Sequence, residues 1–113
     1  MVFGVLGGVG ADLDNLVHMH TIAEKLFGDS DEWSVLAAGR HQMGFATQAA
    51  MLGGNLHVGM EDSPFIGPGE LTPSNAHQVT KTRGIVEQLA RTVATPAEAR
   101  ERLGLKGAEH VRV

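Results

Sequence analysis

Short apolar runs closed by glycine alternate along the chain with longer stretches in which apolar residues return at helical spacing. Residues 2–6 are the first run, ending in Gly7-Gly8-Val9-Gly10, a flexible turn. Leu13, Leu16, Val17, His20, Ala23 and Phe27 then recur three and four apart, which predicts a helix opened by Asp12 and stopped by Gly28. After a polar loop over residues 28–32, residues 33–37 read as a second strand, closed by Gly39-Arg40-His41. Residues 42–52, rich in Ala and Met, predict a second helix stopped by Gly53-Gly54. Residues 56–61 read as a third strand, followed by a Gly/Pro loop over 64–69. Thr72-Pro73 opens a third helix with Val79, Val86, Leu89 and Val93 on one stripe. Gly84 lies within it and costs about 1 kcal/mol relative to Ala. Thr95-Pro96-Ala97-Glu98 is a capping box, starting a short final helix to about Leu103.

The predicted order is β-α-β-α-β-α-α, and strands alternating with helices imply parallel pairing through right-handed crossovers. Three such strands make a poor finished domain. Both outer strands would present unpaired backbone, and a parallel sheet needs helices on both faces. The pattern reads as the last part of a longer βα repeat, belonging to a barrel or an open sheet, over residues 1–105, with a loose tail over 106–113.

A length of 113 residues and 42% apolar content suit one domain or part of a larger one. A net charge of −4 without a basic block argues against a nucleic-acid surface. The absence of Cys excludes a disulfide scaffold and thiolate metal ligands, and fits a cytoplasmic protein. The N-terminal apolar run has no basic flank and is broken by Gly4, Gly7 and Gly8, so it reads as neither a signal peptide nor a membrane span.

The stretch with most chemical content is Val58-Gly59-Met60-Glu61-Asp62-Ser63. On a strand over 56–61, period-2 alternation puts Leu56, Val58 and Met60 on one face and His57, Gly59 and Glu61 on the other. An acid at the carboxyl end of an α/β strand, beside a Gly/Pro loop, stands where such folds place chemistry. Glu61 and Asp62 can divide the work, one holding a divalent metal and the other acting as a base. The plain alternative is a strand ending in a solvated acidic turn. A catalytic zinc needs about three protein ligands, and the sequence offers Glu61 no evident partners. Arg40 and His41, beside free helix-end amides, suit a carboxylate or a cofactor phosphate; otherwise they are an ordinary polar loop. Gly4, Gly7, Gly8 and Gly10 lie between a strand and a helix but miss the G-x-G-x-x-G register. His18-Met19-His20 has the spelling of a metal pair. Inside a helix, however, residues two apart diverge by about 200°, so it is set aside.

Taken in order, several segments resemble the C-terminal third of the β-keto acid cleavage enzyme family, which includes 3-keto-5-aminohexanoate cleavage enzyme. They are residues 4–10, 33–42 and 58–62, together with Ser74-Asn75-Ala76 and residues 94–100. The resemblance implies a (β/α)8 TIM barrel of which this chain is the βαβαβα C-terminal portion. It implies a divalent metal, usually zinc, and cleavage of a β-keto acid with acetyl-CoA to acetoacetate and a new acyl-CoA. It makes Glu61 the metal ligand from the last strand and Asp62 the general base, with Arg40 and His41 at the rim. The other two ligands, a His-x-His pair on an early strand, have no counterpart here. One ligand of three implies a chain inactive alone, completed by the rest of the barrel or by further copies as a homo-oligomer. His57 stands where the resemblance implies an arginine. Arg is always charged and forks bidentately, whereas His is shorter and titrates near neutrality, so His57 implies altered substrate choice or a weaker reaction.

Two rival readings belong to other classes. One is a non-catalytic α/β module that completes a sheet with a partner or another copy of itself. The other is half of a nucleotide-binding fold, which requires an acid near the end of the second strand; residues 33–39 contain none.

Overall fold

The computed structural model describes residues 1–28, 32–107 and 110. Its centre is a parallel three-stranded sheet, β1 (Val2–Phe3), β2 (Ser34–Ala37) and β3 (Asn55–Leu56), in the order β1-β2-β3. Val2 pairs with Leu36 and Phe3 with Ala37, while Ser34 pairs with Asn55 and Val35 with Leu56. Helices α1 (Leu13–Phe27) and α2 (Gln42–Leu52) connect these strands, as the pattern predicted.

Phe3, Leu16, Val35, Ala37, Phe45 and Ala49 form the buried core, with the Phe3 and Phe45 rings 4.9 Å apart and tilted by 44°. Ala46, Ala49 and Ala50 on the buried face of α2 are small enough to let the helix lie close to the strands. Gly53 ends α2 at φ +86°, a left-handed conformation that glycine adopts without a Cβ penalty. Gly54 follows because the Trp33 ring occupies the space a Cβ would take, 2.6 Å from its nearest carbon.

Several sequence expectations change. The third strand ends at Leu56 and does not reach residue 61. Past His57, whose amide still donates to the Val35 carbonyl at 3.0 Å, the Gly59 carbonyl accepts from the Asp62 and Ser63 amides and folds the chain into a turn. The predicted alternation is therefore not realised: Gly59 is buried, while His57, Met60 and Glu61 are exposed. The Gly/Pro loop contains a hairpin, β4 (Phe65–Gly67) and β5 (Glu70–Leu71), with Gly69 at φ +73° in its turn.

Helix α3 (Asn75–Gln88) starts after Ser74, whose hydroxyl accepts from the His77 amide at 3.2 Å, and not at Thr72-Pro73. Its buried residues are Gln78, Thr82 and Val86, so of the expected apolar stripe only Val86 is buried. Val79 is 54% exposed, and Val93 lies beyond the helix.

Helix α4 (Pro96–Arg102) has the predicted capping box, with Thr95 and Glu98 bonded reciprocally. At α1, Asp12 occupies the N-cap position without a side-chain cap bond, and only Leu16 of the helix is buried. Of the expected tail, residues 108–109 and 111–113 lie outside the described residues, as do residues 29–31 of the loop before β2. No helix among the described residues is long and apolar enough to cross a membrane.

Candidate active site

Residues 59–63 form a tight turn just past β3. Three side chains from the starts of α2 and α3 hold its backbone. Gln42 Nε2 donates to the Gly59 carbonyl at 2.8 Å, and Gln78 Nε2 donates to the Ser63 carbonyl at 2.7 Å. Asn75 Oδ1 accepts from the Met60 amide at 2.8 Å. The two glutamines are among the most buried side chains, at 2% and 0% exposure, and each has an Oε1 buried without a protein partner. Polar groups this deep are retained where their hydrogen bonds matter, since an unmet one costs about 1–3 kcal/mol. The Gly39 amide, at the end of the β2 loop, donates to the Asp62 carbonyl at 2.7 Å. This bond joins the loop that carries Arg40 and His41 to the acidic turn.

The turn leaves its acids at the surface, backed by a rigid frame. His57 Nε2 lies 2.9 Å from Asp62 Oδ2 and 3.9 Å from Glu61 Oε1. The Asp62 side chain is 13% exposed and that of Glu61 79%. Asp62 is therefore oriented by a partner, while Glu61 reaches freely into the open. One donor atom each from His57, Glu61 and Asp62 fall within 4.8 Å of one another, so the structure supplies Glu61 with neighbours that the sequence did not reveal. One imidazole and two carboxylates are a donor set that suits a divalent ion, although the imidazole nitrogen nearest the acids already bonds Asp62.

Arg40 and His41 form a 3-10 turn between β2 and α2, with Gly39 at φ +64° leading in. Arg40 Nε donates to His41 Nε2 at 3.2 Å, and the His41 ring meets Phe45 edge-on at 6.5 Å. The structure thus links their loop to the acidic turn through backbone. His18 and His20 both lie on α1, where His20 pairs with Glu24 at 3.6 Å and meets the Trp33 ring at 4.5 Å, tilted by 57°, so no H-x-H site forms. The glycine-rich segment 4–10 is exposed throughout and bonds mainly to itself, Gly4 N to the Val9 carbonyl at 2.8 Å and Gly8 N to the Val5 carbonyl at 3.0 Å.

Sequence reasoning assigned no role to Gln42, Asn75 or Gln78. The signal for the glutamines was a long amide side chain at a helix position that packing would fill with an apolar residue.

The model of the β-keto acid cleavage enzyme family matches residues 1–105. The chain belongs to this family. It is 51% identical over 107 residues to the 3,5-dioxohexanoate:acetyl-CoA acetone transferase of Paraburkholderia graminis, covering 95% of this chain and 34% of that protein. It is 36% identical over 104 residues to the 3-keto-5-aminohexanoate cleavage enzyme of Acetoanaerobium sticklandii, covering 92% of this chain and 37% of the relative. The 3-oxoadipate:acetyl-CoA acetyltransferase of Cupriavidus necator is 34% identical over 109 residues, covering 96% of this chain and 38% of its own. The chain therefore spans little more than a third of the length of these relatives.

Proposed function

We propose that this chain is the C-terminal portion of a (β/α)8 barrel that cleaves a β-keto acid with acetyl-CoA, giving acetoacetate and a new acyl-CoA. The observation that carries the reading is the turn beyond β3, which presents Glu61 to the open and holds Asp62 against His57 at 2.9 Å. Family membership and the acetyl-CoA in the names of two relatives support the reaction class.

In this reading Glu61 holds a divalent ion, zinc or a similar metal, with further ligands from earlier strands of the barrel. Such an ion supplies Lewis-acid polarisation of the substrate's carbonyl oxygen. Asp62 takes a proton from the carbon between the keto and carboxyl groups, and that carbon attacks the thioester carbonyl and expels the CoA thiolate. The thiolate then attacks the original keto carbonyl, the bond from that carbonyl to the central carbon breaks, and acetoacetate leaves with the proton returned while the acyl group stays on CoA. His57 fixes the Asp62 carboxylate in one orientation through its Nε2–H. Arg40 and His41 stand at the rim to receive anionic substrate groups. Among the described residues β3 ends the sheet, and α1 leaves Leu13, Val17 and Leu26 each more than 40% exposed, which supports completion by the rest of the barrel or another copy. We place the enzyme in the cytoplasm, where absence of Cys is ordinary.

Zinc titration calorimetry on the 113-residue chain, with Glu61→Ala as control, tests the metal assignment. Weak zinc binding that Glu61→Ala abolishes is the expected result. Binding of equal strength in both chains would overturn the role of Glu61.

A further inference from the structure

A cavity of about 220 Å³ opens between the loop after β2 and the hairpin after β3. Gly39 and Gln42, which bond the acidic turn, form one side of it, and the β4 hairpin residues Phe65, Ile66 and Gly67 form another. Two cations face it, Arg40 from the 3-10 turn and Lys81 from α3, and no carboxylate lines it. Among the described residues neither cation has a carboxylate partner: Arg40 Nε is given to His41, and Lys81 Nζ donates to the Ile66 carbonyl. An ammonium has three donors and a guanidinium five, so both keep N–H groups to offer.

We propose that this cleft is an oxyanion site that takes a phosphate of acetyl-CoA, with Lys81 and Arg40 as its two cationic contacts. The inference rests on the barrel reading, in which β2 and β3 are the last two strands. In (β/α)8 barrels a phosphate site is frequently built from the loops after those strands, and these are the loops that enclose the cavity. Gly39 and Gln42 border both the cavity and the turn, so a phosphate anchored here holds its ligand on the part of the fold that carries the acids, and the pantetheine arm spans the distance from phosphate to thioester. A carboxylate of the β-keto acid has the same recognition chemistry. The size of the cleft and its two separate charges favour phosphate, which offers more oxygens to share between them. Exposed Glu70 reaches toward Gly67 on the hairpin and opposes any anion there.

The test is NMR titration of the isotope-labelled 113-residue chain with coenzyme A, inorganic phosphate, pantetheine and acetoacetate in turn. Coenzyme A and phosphate should move the amide signals of Gly39, Ile66, Gly67 and Lys81 and compete with each other, while pantetheine should not. Lys81→Met keeps the aliphatic stem and should weaken coenzyme A binding about tenfold. Lys81→Arg should restore most of it, and Glu70→Gln should tighten it. Pantetheine binding as well as coenzyme A, or phosphate binding without coenzyme A, overturns the assignment, as does displacement of phosphate by acetoacetate at equal concentration. Indifference to Lys81→Met in a chain whose circular dichroism is unchanged also overturns it. Zinc binding plays no part in these readouts, so the failure of Glu61 as a ligand and the failure of this cleft are separable results.

Discussion

The turn over residues 59–63 and helix α4 are both secured by polar contacts, from opposite sides of the solvent boundary. The turn is held by the neutral amides of Gln42 and Gln78, buried at 2% and 0% exposure. Helix α4 is held by charged groups in water: Glu98 in the Thr95 capping box, and Arg102 reaching Glu32 beside β2. A buried neutral hydrogen bond is insensitive to salt and pH, and its loss leaves a carbonyl stranded away from water. An exposed charged contact is screened, titrates, and is replaced by water when broken. The two devices suit what they hold. A turn that fixes Asp62 against His57 needs geometry independent of conditions, whereas α4 has only to stay docked.

The largest effect expected from breaking this contrast is at Gln78. Gln78→Glu puts a carboxylate at a fully buried site and removes the donor to the Ser63 carbonyl, costing about 3–5 kcal/mol at neutral pH. Gln78→Leu removes the same donor and also the partnerless Oε1, so the penalty falls to about 1–3 kcal/mol. Urea titration of both variants checks the ranking. If the leucine variant is as stable as the parent chain, Gln78 does not hold the turn.

That difference also governs what could be read from the sequence. Local rules were sufficient where local contacts decide: α2 runs over Gln42–Leu52 as its glycine stop indicated, α1 ends at Gly28, and the Thr95 capping box is present. The third strand stops short of the pattern over 56–61 because its end is set at a distance. The Gln42 amide that helps turn the chain at Gly59 comes from 17 residues earlier, and no period within 56–61 encodes it. The same contacts explain the misplaced stripe of α3. Its buried face begins with Gln78, and Thr82 bonds back to the Gln78 carbonyl at 2.9 Å, so an apolar template misses it. The hairpin was legible in principle, since Pro68-Gly69 has the residues that a tight turn with one left-handed position demands. Glu61 and Asp62 stand out in the sequence as candidates because chemistry, unlike register, is written in residue type.

On the exposed side, Thr95→Ala removes the acceptor for the Glu98 amide and should cost about 1 kcal/mol, most of it local to α4. Amide exchange should quicken over residues 96–102 and stay unchanged over 59–63. Faster exchange in the turn as well would mean that the two regions open together, and the contrast between them would fail.

The smallest effect separates them by pH. Hydrogen bonds from the Thr95 backbone and side chain hold the Glu98 carboxyl below the usual glutamate range, and those from Arg102 and Asn55 do the same for Glu32. A carboxylate depressed in the folded state contributes stability above its unfolded pKa and loses it as the pH falls through the folded value. Acidification from neutrality should therefore leave α4 docked until the ordinary glutamate pKa is reached, then loosen it progressively below. Glu98→Gln should flatten that profile without touching residues 59–63, whose anchoring amides carry no titrating proton. Exchange rates over residues 96–102, measured across the acid range in the parent chain and in Glu98→Gln, decide the matter: an unchanged profile in the variant would show that the Thr95 capping box does not hold α4.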